Sequence, residues 1–186
     1  MSLRVFSALP IPDEVADIVD PLLDGVPGAN WRPRENFHIT LSYYGELEIP
    51  AVEELDHELA RIEMAPFELA LKGANHFGKD EPTALWLGVE APSALADLAA
   101  KTRRVAARLG IAVEKRNYLP HLTVAYIDPG EIDLVKLKRF EQQWNLLETP
   151  PFIADRFYLY SSHQRRKGPN DYQVEAEYPL FHRRMA

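Results

Sequence analysis

Residues 37–44 read FHITLSYY, and residues 119–127 read LPHLTVAYI. Both stretches carry His, an apolar residue, Thr, then a tyrosine five places after the histidine. These are His38, Thr40 and Tyr43 in the first, and His121, Thr123 and Tyr126 in the second. Each alternates as a β-strand does, so residues two apart share a face. His38 then stands beside Thr40 and His121 beside Thr123, with Ile39 and Leu122 turned into a core. Strict alternation sets Phe37, Ile39, Leu41 and Tyr43 on one face of the first strand, and His38, Thr40, Ser42 and Tyr44 on the other.

The pattern extends outward from both strands. Residues 3–9 (LRVFSAL) read as a strand. Residues 13–24 read as a helix, with Val15, Ile18, Val19, Leu22 and Leu23 at helical spacing and Pro21 set to kink or end it. A helix over 51–63 comes next, with Val52, Leu55, Leu59 and Ile62 on one stripe. Strands at 67–72 and 84–90 are joined by the loop GANHFGKDEP, and an Ala-rich helix spans 93–109, closed by Gly110. After the second motif come a helix at 132–145 and strands at 152–160 and 171–178, joined by SSHQRRKGPND. Each half reads helix, His-strand, helix, strand, strand, which points to internal duplication of one α+β unit. The length of 186 residues suits one domain, or two small halves sharing a core.

Composition narrows the function. The formal net charge of −7 argues against a protein that coats RNA broadly. A local positive cleft on an acidic chain can still hold a phosphate. With no cysteine there is no disulfide and no thiolate metal site, which fits a reducing cytosol, and a cytoplasmic location is expected. The N-terminal apolar stretch is cut by Pro10, Pro12, Asp13 and Glu14, so it does not read as a signal peptide. No run of 18 apolar residues suggests a membrane span.

Paired His–Thr strands suit P–O bond cleavage. A base must take a proton from water and an acid must give one to the leaving oxygen. Imidazole, with an ordinary pKa of about 6.5, can do either near neutral pH. Threonine hydroxyls can donate to the non-bridging oxygens where charge builds. No metal or other cofactor is needed. The competing reading is two buried structural histidines on unrelated strands. The other histidines read as ordinary: His57 exposed on a helix, His76 and His163 in corresponding loops, His182 in the tail. Trp31 and Tyr118 flank the motifs and can serve core or cleft. Arg103, Arg104 and Arg108 on the Ala-rich helix are expected to face water.

The segments NFHITLSYYGE and YLPHLTVAY resemble the paired signatures of the two-histidine phosphoesterases, in particular the bacterial and archaeal RNA 2′,3′-cyclic phosphodiesterases, historically called 2′-5′ RNA ligases. The opening RVFSALPIP, Trp31, the stretch at 77–89 and the closing strand pair extend the likeness over nearly the whole chain. The resemblance implies a bilobal α+β fold, with two antiparallel sheets around a pseudo-twofold central cleft and helices outside. It implies hydrolysis of a ribose 2′,3′-cyclic phosphate to a 2′-phosphate, with His38 as proton donor and His121 as proton acceptor. The symmetry of the pattern by itself leaves those roles interchangeable. Tyr43 is expected to stack on a base. Tyr126 occupies a position where many relatives carry arginine, so Arg116, or Arg165, Arg166 and Lys167, are alternative sources of positive charge. The expected partners are RNA with a 2′,3′-cyclic phosphate end or a small cyclic nucleotide, with no membrane, and a monomer is expected. A non-catalytic binder of RNA ends, a metallohydrolase and a 2′-5′ ligase acting in the same cleft are the rival readings.

Overall fold

Chain order runs β1 (Ser2–Pro10), α1 (Asp13–Val19), β2 (Ala29–Trp31), β3 (His38–Glu48), α2 (Ile49–Leu59), β4 (Phe67–Phe77), β5 (Ala84–Glu90), α3 (Ser93–Arg108), β6 (His121–Ile127), α4 (Leu134–Trp144), β7 (Phe152–Ala154), β8 (Arg156–His163) and β9 (Asp171–Pro179). The computed structural model describes residues 1–90, 93–114, 117–128 and 130–181. Arg116 and the tail with His182 lie outside the described residues.

Local chemistry sets the helix limits. Pro21 has no N–H to donate, so α1 stops at Val19 and the chain tightens into a 3₁₀ turn over Asp20–Leu22. Asp133 caps α4, its carboxylate accepting from the N–H groups of Val135 and Lys136, both at 3.0 Å. On α3 the buried residues Leu95, Leu98, Ala99, Thr102, Val105 and Ala106 form one stripe at helical spacing. Gly110 then takes φ +71°, the left-handed cap expected of it.

The strands form one curled antiparallel path, β7-β4-β5-β6-β3-β1-β8-β9, with β2 added beside β6. The expected two sheets are the two ends of this path. They meet where β6 touches β3, through the single residue pair Ile39–Leu122. Outward from that junction, β6-β5-β4-β7 mirrors β3-β1-β8-β9. The repeated unit therefore begins one strand earlier than expected. It is strand, helix, His-strand, helix, strand: β1-α1-β3-α2-β4 and then β5-α3-β6-α4-β8. The last strand of each unit crosses over. β4 pairs with β5, and β8 with β1, so each lobe holds strands from both halves of the chain.

Two other departures have plain causes. The run 152–160 is split at Asp155, because β7 pairs with β4 in one lobe while β8 pairs with β1 in the other. β2 is only three residues long, too short for periodicity to reveal. Helices α2 and α3 cover β3, and α4 covers β4. Ile39, Leu41, Leu122 and Val124 of the motif strands are fully or almost fully buried in one core with Leu55, Leu98 and Leu137. Burying each such side chain contributes about 1.5–3 kcal/mol, so the core that stabilises the lobes also anchors both motif strands.

Candidate active site

The junction pair Ile39–Leu122 sets the register of the site. One residue either way along antiparallel strands, Thr40 stands beside His121 and His38 beside Thr123. Both His–Thr pairs lie on the face turned away from the core, as the alternation requires: Ile39 and Leu122 are fully buried, while His38, Thr40, His121 and Thr123 are half-buried.

The strict alternation expected beyond Thr40 fails, and fails alike in both strands. Against β1, Thr40 pairs with Ala8 but Ser42 with Ser7. Against β5, Thr123 pairs with Trp86 but Ala125 with Leu85. Each motif strand thus carries an extra residue, Leu41 or Val124, three places after its histidine. A bulge of this kind reverses the facing of the residues that follow it, in β3 as far as a second bulge at Tyr44. Tyr43 and Tyr126 consequently leave the core side and join the cleft face, each 47% exposed. Tyr44, expected beside His38, is buried instead and shares a 2.8 Å hydrogen bond with the Ser7 hydroxyl. Ser42 moves to the helix side, where its hydroxyl bonds that of Thr102 on α3 at 2.8 Å.

The imidazoles are held in matching ways. His38 Nδ1–H donates to the Asn36 carbonyl at 2.8 Å, and His121 Nδ1–H donates to the Leu119 carbonyl at 2.7 Å. A carbonyl can only accept, so both neutral rings carry their proton on Nδ1, and Nε2 is the nitrogen available for proton transfer. Aromatic rings wall both. Phe6 and Tyr172 lie 4.9 and 5.4 Å from His38, and Phe77 and Trp86 lie 4.8 and 6.0 Å from His121, centre to centre.

These walls decide the charge state. Desolvation pushes the His38 pKa down to about 4, despite the opposing Asn36 hydrogen bond, and the nearby charges of Arg32 and His121 lower it further. Burial also lowers His121, against its bond to Leu119. Burial therefore favours the neutral form of both rings at pH 7.

His121, Thr40, Thr123, Tyr43 and Tyr126 line one cavity of about 570 Å³; His38 is not in its lining and sits across the β3–β6 junction. The cavity is roofed by Tyr118, whose hydroxyl donates to the Thr40 carbonyl at 2.9 Å, and by Arg103, which lies 5.3 Å above the Tyr118 ring. Arg103 is thus a cleft residue, contrary to the expectation that it faces water, while Arg104 and Arg108 do face solvent. Trp31 belongs to the core, packed 5.6 Å from Phe140. Of the loop cations, Arg165 is paired with Asp171 at 3.0 Å. His57 is exposed, His76 is hydrogen-bonded to Glu141, and His163 to Ser161. Among the described residues no group of three or more His, Cys, Asp or Glu could hold a metal ion. No helix among them is long and apolar enough to cross a membrane.

Two site residues escaped the sequence reading. Arg32 Nη2 and Trp86 Nε1 are the buried side-chain nitrogens without a hydrogen-bond partner among the described residues. Each such unmet donor costs on the order of 1–3 kcal/mol. Arg32 borders His38 and Trp86 borders His121. The dipeptide Trp31–Arg32 held a signal: with Trp31 in the core, strand parity turns Arg32 to the cleft, had β2 been recognised.

Residues 11–166 match the model of the 2′-5′ RNA ligase superfamily. The chain is 29% identical over 180 residues to an RNA 2′,3′-cyclic phosphodiesterase of Thermotoga maritima, covering 90% of each. It is 31% identical over 137 residues to one from Aeropyrum pernix, covering 73% of this chain and 77% of that one. The crystal structure of Escherichia coli LigT complexed with 3′-AMP superimposes with a TM-score of 0.75 at 25% identity, over 97% of this chain and 99% of that one.

Proposed function

From the premise that this chain belongs to the 2′-5′ RNA ligase superfamily, we propose that it hydrolyses 2′,3′-cyclic phosphate ends of RNA, or small cyclic nucleotides, to 2′-phosphates without a metal. One observation carries the reading. Two imidazoles with the same Nδ1 anchoring stand on adjacent strands, each beside the other strand's threonine. The activity named for the relatives, about 30% identical, supports the same substrate class.

Neutral His121 takes a proton from water through Nε2 as the water oxygen bonds to phosphorus. The bond from phosphorus to the 3′ oxygen breaks, and His38 gives that oxygen a proton. The hydroxyls of Thr40 and Thr123 donate to the non-bridging oxygens. Burial favours neutral His38, so it gains its proton with the substrate, whose negative phosphate favours imidazolium. The 570 Å³ cavity on the His121 side has room for the terminal nucleoside, with Tyr43 and Tyr126 as stacking surfaces.

The test is an oligonucleotide ending in a 2′,3′-cyclic phosphate, incubated with the protein in EDTA and monitored by ³¹P NMR. Conversion to a 2′-phosphate is expected. In His38→Ala and His121→Ala the turnover should fall at least about 10²-fold, the usual scale of acid–base contributions, with circular dichroism unchanged. An untouched end marks a pure binder, and activity lost to the chelator marks a metallohydrolase.

A further inference from the structure

Arg32 is 9% exposed, and among the described residues its Nη2 has no hydrogen-bond partner; its guanidinium acts on the Tyr172 hydroxyl, a neutral group that leaves the charge uncompensated. Among the described residues no carboxylate forms an ion pair with it. Its neighbour Arg34 shows the contrast: that guanidinium binds Asp17 and, at 3.0 Å, Asp13. A buried cation with an unmet donor lowers stability, and an anion from outside the chain would meet both the charge and the donor.

Position identifies the anion. The Arg32 N–H donates to the Val124 carbonyl at 2.8 Å, which fixes the residue beside β6 where β3 diverges from it. The guanidinium carbon lies 5.1 Å from the centre of the Tyr126 ring and 5.9 Å from that of Tyr172, so one lobe supplies each neighbouring ring. Tyr172 also meets His38 edge-on. The charge thus stands at the junction of the lobes, beside the His38 imidazole and against β6, the strand that carries Thr123. Stacking on Tyr126 holds the planar fork in place, which a lysine ammonium would not reproduce.

We infer that Arg32 is the phosphate-binding cation of this cleft, donating from Nη2 to a non-bridging oxygen of the phosphate under attack. The inference rests on the reaction proposed above. Tyr126 stands where the resemblance leads one to expect arginine, and here it serves as the platform for an arginine from β2's end. Before substrate arrives, the same charge disfavours protonation of His38. A bound phosphate compensates Arg32 and favours the His38 proton in one event.

The test tracks the imidazole signals of wild type, Arg32→Gln and Arg32→Lys by ¹H–¹⁵N NMR during titration with inorganic phosphate, beside thermal melts and turnover of 2′,3′-cyclic AMP. In Arg32→Gln, phosphate affinity should fall about tenfold or more, as expected for a lost charge-assisted hydrogen bond. Its melting temperature without phosphate should equal or exceed that of wild type, because an uncompensated buried charge is gone. Arg32→Lys should recover only part of the affinity. Unchanged phosphate affinity in Arg32→Gln overturns the inference, as does a wild type that binds no phosphate. A lowered melting temperature with a displaced His38 signal before any phosphate is added overturns it too, because Arg32 is then a structural residue. Arg32-dependent phosphate binding in a protein that leaves cyclic phosphate intact supports the inference and overturns the reaction instead.

Discussion

His38 and His121 are alike in anchoring and differ in surroundings, and the difference has a kinetic consequence. Burial lowers both pKa values, His38 to about 4 with Arg32 and His121 adding to the effect. kcat/KM reports the groups of the free enzyme. It needs His38 protonated, a fraction that shrinks as pH rises above about 4. It also needs His121 neutral, a fraction that shrinks as pH falls below a value lowered from 6.5. The expected kcat/KM profile is a bell centred below pH 6.5. The kcat profile should lie at higher pH, since bound phosphate stabilises both imidazolium forms. Initial rates from pH 4 to 9 with chemistry rate-limiting check this, and a profile flat from pH 5 to 9 contradicts it. The identities of His38, Thr40, His121 and Thr123 as a set were legible from the repeated tripeptide. Their protonation states were not, because these depend on Phe6, Tyr172, Phe77 and Trp86, which come from other strands.

At the scale of the element, the matching bulges at Leu41 and Val124 are what turn two tyrosines into the cleft. Period-two reading located both motif strands and their buried Ile39 and Leu122. It places Tyr43 and Tyr44 on the wrong faces because one extra residue inverts the side chains that follow it. A bulge arises from pairing with β1 or β5, and no local pattern announces it. Arg103 was misread for a similar reason: its helix stripe gives burial, but contact with Tyr118 depends on the segment leading into β6. If Tyr43 stacks on a base, replacing it by alanine removes about 1–3 kcal/mol of binding. KM for a cyclic-phosphate oligonucleotide should then rise about 5- to 150-fold with kcat changed little, and melting temperature should hold because the ring is 47% exposed. Steady-state kinetics on Tyr43→Ala test this; an unchanged KM leaves Tyr43 as a surface residue.

Over the whole molecule the decisive feature is the exchange of strands. β4 pairs with β5, which pairs with β6, and β8 pairs with β1, so neither half of the chain carries the strands of one lobe. The repeat was visible in the sequence, but the crossing was not. Hydrophobic patterns identify strands without naming their partners. Fragments 1–90 and 91–186 should each be unfolded by circular dichroism and regain structure only on mixing; a fragment that folds alone contradicts the exchange. The proposed chemistry depends on two imidazoles meeting over one phosphorus. The most direct measurement is a crystal structure with orthovanadate in the cleft. The expected result is one vanadium between Nε2 of His38 and Nε2 of His121, with its oxygens within hydrogen-bond distance of Thr40 and Thr123. Vanadate bound elsewhere, or touching one histidine alone, would contradict it.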